Sequence, residues 1–184
     1  AMHLSPHVSS VPPDGLVLEI KGSLRLFRGI EGLLFHLRRG VKALGYRIQY
    51  AVAPTPLAAA LLARANVRAN VFTKQDLTRR LLPLPIETLR LKKHHNEALT
   101  SIGVGCIGDC RRLPRIGLAR RFSPILNDML DRLFGCVPDP RPVFKAPPTF
   151  EAMVELPWEL DSAQILSVAC ERLLHDFVGF LRSN

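Results

Sequence analysis

Residues 99–109 read Leu-Thr-Ser-Ile-Gly-Val-Gly-Cys-Ile-Gly-Asp, an apolar run punctuated by glycine that leaves little option besides a tight hairpin between two helices. Glycine reaches positive φ and close backbone approach without steric cost, and such a turn requires both. A helix beginning at Ile107 exposes its first backbone amides, and the helix dipole favours an anion beside them. The expectation is a helix-hairpin-helix element in which Gly103, Val104 and Gly105 face a phosphate backbone without reading bases. A glycine C-cap also ends many ordinary helices, so the surrounding charge has to carry the distinction.

That charge is basic on both sides. Arg111, Arg112, Arg115, Arg120 and Arg121 follow the hairpin, and Lys92 and Lys93 precede it. Guanidinium forks match phosphate oxygens, and no acidic residue falls between 111 and 121 to neutralise them. These seven cations, with Gly103, Val104 and Gly105, are the candidate DNA-binding residues. The chain as a whole agrees: 25 Lys+Arg against 16 Asp+Glu give a formal charge of +9, which attracts polyanions through counterion release.

Signals for catalysis are scarce. Asp14 and Glu19 are near one strand end, and no other acid of the first half joins them. Two-metal chemistry needs carboxylates converging on ions about 4 Å apart. His94 and His95 are adjacent on a predicted helix and so point apart. Cys106 and Cys110 share a helical face, but no second Cys/His pair completes a zinc site. Neither a Gly-rich phosphate loop nor a nucleophile elbow is present. No catalytic residue, metal ligand or cofactor is expected. The longest apolar runs, such as 57–63, are too short for a bilayer, and no basic-then-apolar leader opens the chain. The expected location is cytoplasmic, with reduced cysteines and no membrane partner.

Strand-like alternation over 15–21 is bounded by Pro12-Pro13-Asp14-Gly15 and Gly22-Ser23. Ile30, Leu33, Leu34, Leu37, Val41 and Leu44 then repeat at helical spacing up to Gly45, with Arg38, Arg39 and Lys42 opposite. A second strand is expected over 46–52 and a helix over 55–65. After Ala69 the pattern is helical: 77–82 capped by Asp76, then 87–99, 107–113, 115–121 and 125–133. Five prolines between 138 and 148 predict an extended linker. A strand over 149–156 and a helix over 162–181, capped by Asp161 or Ser162, are too little for a closed core, so the last domain reads as cut short.

In this order the segments resemble a Y-family DNA polymerase. Residues 8–29, VSSVPPDGLVLEIKGSLRLFRG, resemble the second catalytic segment of the palm, and YAVAPTPLAAALLARA (50–65) resembles the strand and helix after it. The segment from Leu99 to Gly135 is similar to the thumb with its helix-hairpin-helix. PPTFEAMVELPWELDSAQILSVACERLLHDFVGFL (147–181) is similar to the start of the little finger. The resemblance implies an α+β fold with a partial palm-like α/β layer (1–69), a small all-helical thumb-like domain (70–137), a Pro-rich linker (138–148) and a truncated little-finger-like start (149–184).

Within the family the likeness is to the catalytically inactive, ImuB-type subunits of bacterial mutasomes. Where active relatives read Ser-Ile-Asp-Glu, this chain has Pro12-Pro13-Asp14-Gly15, and where they carry lysines near the nucleotide phosphates it has Pro56 and Ala60. The first catalytic carboxylate segment and the fingers are not in the sequence. The resemblance therefore implies a non-enzymatic adaptor in translesion synthesis that touches DNA. Its implied partners are an error-prone polymerase, a recombinase-like subunit and the sliding clamp, with any clamp-binding peptide beyond Asn184. A fragment of an active lesion-bypass polymerase and a scaffold without DNA affinity are the alternatives.

Overall fold

The computed structural model describes residues 3–145, 150–155 and 163–183. In chain order the elements are β1 (Val8–Val11), β2 (Gly15–Leu18), α1 (Ile30–Ala43), α2 (Pro56–Arg64), α3 (Lys74–Leu81), a 3-10 turn (Ile86–Leu89), α4 (Lys93–Thr100), α5 (Ile107–Arg112), α6 (Arg115–Phe122), α7 (Pro124–Leu133) and α8 (Ala163–Ser183). They divide into two compact units. One comprises Ser9–Leu18 and Ile48–Pro142; the other comprises Ala1–Val8, Glu19–Arg47 and Val143–Asn184.

The first unit is a helical cluster on a two-stranded sheet, with α2 packed on β2 and α6 against α7. Its core joins Ala58, Leu61 and Leu62 of α2 to Val71, Leu77, Leu81, Ile86, Leu99, Ile107 and Leu133 in one buried set. The change of composition after Ala69 is thus not an edge of this core. Helix α2 starts where Thr55 accepts the Ala58 amide at 3.2 Å and Pro56 supplies its preset φ in the first turn. The same Thr55 hydroxyl donates to the Leu133 carbonyl at 3.1 Å, tying the start of α2 to the end of α7.

Three local expectations change. The stretch 46–52 forms no strand; Val52 makes a single parallel bridge to Asn70, because no neighbouring strand among the described residues extends the ladder. Thr73 caps α3 by accepting the Asp76 amide, while Asp76 itself lies inside the helix and pairs with Arg79 at 2.7 Å and Arg80 at 3.1 Å. The helix expected over 87–99 is interrupted. Ile86 and Leu89 are both buried at a spacing of three, which a 3-10 turn after Pro85 satisfies, and Arg90 then takes a left-handed φ of 51° before α4 begins.

In the second unit α1 buries Leu33 and Leu34 and stops at Leu44, with Gly45 at φ +78°, as its periodicity predicts. Position 32 has room only for glycine, because a Cβ there would collide with the Phe27 carbonyl oxygen. Phe150 packs against Phe177 and Phe180 of α8. No strand forms over 150–155, and the expected caps Asp161 and Ser162 lie outside the described residues. Among the described residues no helix is long and apolar enough to cross a membrane.

The proline-rich stretch begins under restraint. The Asp139 carboxylate, 2% exposed, accepts the Leu57 amide at 2.9 Å and Arg141 at 2.9 Å, with Arg132 at 3.8 Å. Arg141 is followed by Pro142, which itself blocks trypsin, whereas Lys145, three residues past the edge of the unit, is exposed. Limited trypsinolysis should cut first after Lys145, read by intact mass. First cleavage after Arg79, Arg80 or Arg115, inside the helical unit, would contradict this arrangement.

Candidate nucleic-acid interface

The hairpin between α4 and α5 ends α4 in a Schellman arrangement. The Val104 amide donates to the Leu99 carbonyl at 3.1 Å and the Gly103 amide to the Thr100 carbonyl at 2.9 Å, with Gly103 at φ +83°. Val104 and Leu99, buried beside each other in the motif, supply its apolar contact. Gly103 is thus required by its own backbone, and a Cβ there would meet nothing within 4 Å.

The backbone amides at the start of α5 are already taken. Gly105 and Cys106 both donate to the Asp109 carboxylate, at 3.3 and 3.1 Å. Ile107 donates to Leu84 and Gly108 to Leu82, each at 2.9 Å. The Cys106 thiol donates to Asp109 at 3.1 Å and accepts the amide of that residue, closing a capping box. These bonds hold the Asp109 carboxyl below the usual carboxylate range, first through the Cys106 thiol and then through the two amides. The expectation of free amides at Ile107 is corrected: the segment 82–86 runs alongside and fills them. At α4 the N-cap, Lys92, makes no side-chain capping bond, although its carbonyl already accepts the His95 amide at 2.8 Å.

The expected arginines fall into three groups. Arg111 and Arg112 turn into one open groove of about 600 Å³, together with Arg79 of α3, floored by Leu82, Pro83, Cys106 and Gly108. Gly108 is needed there, since a Cβ would lie 3.1 Å from the Leu82 carbonyl. The Arg111 guanidinium stacks over the Phe134 ring at 4.3 Å. Arg79 and Arg112 pair with Asp76 and Asp109, but their side chains are 78% and 84% exposed, so a phosphate competes with those carboxylates at little cost.

Arg115 is committed elsewhere. It forms a two-pronged bridge to Asp131 of α7, one arm at 2.8 Å, which fixes α6 to α7 and holds the Asp131 carboxyl below its ordinary value. The absence of acids between 111 and 121 is therefore not an absence of partners; tertiary packing brings one from 16 residues away. Arg120 and Arg121 remain exposed on α6, with Arg121 over Phe122 at 5.8 Å and neither in an ion pair among the described residues. Lys93 lies 3.8 Å from Glu97.

His94, His95 and Cys110 pack within the helical unit. The rings of His94 and His95 meet edge-on with centroids 4.1 Å apart, closer than diverging helical positions predict, because they occupy the loose first turn of α4; His95 also packs edge-on against Phe122. Partial burial, then His94 and Lys92, lowers the pKa of His95. Cys110 lies in the core, and burial pushes its thiol up to about 11.

Asp14 sits at the tip of the β1–β2 turn, 73% exposed, and its charged neighbours are arginines. Arg90 approaches it to 3.8 Å, and Arg64 feels both charges: burial and Arg90 lower its pKa while Asp14 raises it. At Gly15 a Cβ would lie 3.0 Å from the Val11 carbonyl, so the turn is built around a residue without a side chain. Among the described residues no three His, Cys, Asp or Glu side chains cluster as metal ligands.

Arg79 is the residue that sequence reading misses. It stands 32 positions before Arg111, and only the packing of α3 beside α5 brings it to the groove. The chain is 29% identical over 181 residues to Protein ImuB of Caulobacter vibrioides strain NA1000 / CB15N, and equally to that of strain ATCC 19089 / CIP 103742 / CB 15. No family model and no solved structure matches. The match covers 94% of this chain, which spans about 39% of the length of each relative.

Proposed function

We propose that this chain is a DNA-binding part of a Y-family-polymerase-like protein that serves translesion synthesis as an adaptor and does not itself transfer nucleotides. The observation that carries the proposal is the groove lined by Arg79, Arg111 and Arg112. Such an arrangement suits phosphates spaced along a backbone and offers no group arranged to read base edges. Likeness to ImuB along nearly the whole chain supports the polymerase-like ancestry. The arginines around Asp14 support a non-catalytic role, because a site for two metal ions needs further carboxylates there. An error-prone polymerase, a recombinase-like subunit and the sliding clamp are the proposed partners, following the resemblance.

Binding to a short duplex at two salt concentrations tests this. The affinity should fall steeply with salt and change little when the duplex sequence is scrambled. Replacing Arg120 and Arg121 by alanine should reduce the log–log salt slope by up to about two if both touch phosphate. Absence of a complex at low salt would assign the arginines to an acidic protein partner instead.

A further inference from the structure

The second unit carries a basic face that the groove does not use. Residues 19–47 hold seven Lys+Arg and two Glu, and among the described residues Arg39, Lys42 and Arg47 enter no ion pair. On α1, Phe35, Arg39 and Lys42 follow one another at i, i+4 and i+7, a spacing that lines them along one side of a helix, away from the buried Leu33 and Leu34. Phe35 is 56% exposed, and Tyr46, just past the helix, is 65% exposed.

Cations alone make a solvated face. Here a ring touched edge-on by His36 at 5.6 Å but still 56% exposed stands among cations. Glu31 is the one carboxylate at that spacing and is in no ion pair with them, and a polyanion with open ring faces of its own satisfies both. Single-stranded nucleic acid has that chemistry: phosphates for Arg39, Lys42 and Arg47, and unpaired bases to stack on Phe35. A duplex hides the faces of its bases and leaves the ring unused, and an acidic peptide engages the cations but has no need of the ring. We propose that the outer face of α1, with Phe35 as its stacking platform, binds single-stranded nucleic acid. The site is formed by one unit alone and does not depend on the groove lined by Arg111 and Arg112.

The test is fluorescence anisotropy of the full chain with labelled oligothymidylate and with a duplex of equal length. Phe35→Ala should weaken oligothymidylate binding about tenfold, within the range seen for loss of one base–aromatic stack, and leave duplex binding unchanged. Phe35→Trp should retain the single-strand affinity. Arg39→Gln combined with Lys42→Gln should lower the single-strand salt slope by up to about 1.4. Circular dichroism unfolding of each variant should match the parent, since Phe35 is exposed. Wild-type affinity in folded Phe35→Ala, or an equal loss for duplex and single strand, overturns the proposal. So does displacement of oligothymidylate by polyglutamate as readily as by unlabelled oligothymidylate, which would make the face a site for acidic peptides.

Discussion

Alanine at Asp139 should lower the stability of the helical unit by about 3 kcal/mol, read as a shift of the urea midpoint at constant slope. The carboxylate is almost wholly buried and bonds both the Leu57 amide, at the start of α2, and Arg141. Its removal leaves an orphan amide in the first turn and a half-buried guanidinium whose Nε already lacks a partner. The penalty for that unpaired charge is the larger part. The double variant Asp139→Ala, Arg141→Ala should therefore recover some of the loss, with a coupling of about 1 kcal/mol or more. Additive effects would show that the two side chains do not act as a pair.

Glutamine at Arg79, Arg111 and Arg112 together should weaken duplex binding by about 100-fold at low salt and reduce the salt slope by up to about 2.7, three phosphate contacts' worth. Glutamine keeps part of each aliphatic stem, while the Arg111 stack over Phe134 goes with its guanidinium, so urea unfolding of the variant is measured beside its binding. Arg115→Gln should behave differently. It breaks the bridge to Asp131 between α6 and α7, lowering stability while leaving the salt slope nearly intact. The sign with pH follows from Asp131: its carboxyl is depressed in the folded chain, so the bridge stabilises above the ordinary carboxylate range and is lost as pH falls below it.

Much of the helical framework is legible in the sequence because local chemistry and packing agree. Thr55-Pro56 starts α2, Ser123-Pro124 starts α7, and the Leu33, Leu34 periodicity sets α1. The failures occur where packing decides. Nothing local in 87–99 announces that Ile86 and Leu89 will both be drawn into the core, and this is what breaks the helix at Arg90. The hairpin at 103–105 is read correctly as a turn, yet the α5 amides of Ile107 and Gly108 are consumed by the Leu84 and Leu82 carbonyls, partners that only the fold supplies, and Asp109 takes those of Gly105 and Cys106. For the same reason the arginine run divides into a groove pair, a bridge and two exposed side chains, and Arg79 joins it from α3. Charge locates the region; tertiary geometry sorts its members.

DNA binding without nucleotide transfer is tested by titrating a primer–template with the full chain, with and without deoxynucleotides and Mg²⁺ or Mn²⁺. A complex should form at low salt, dissolve by about 200 mM salt, and show no primer extension under any of these conditions. Extension that disappears with Asp14→Ala, or no complex at low salt, would contradict it.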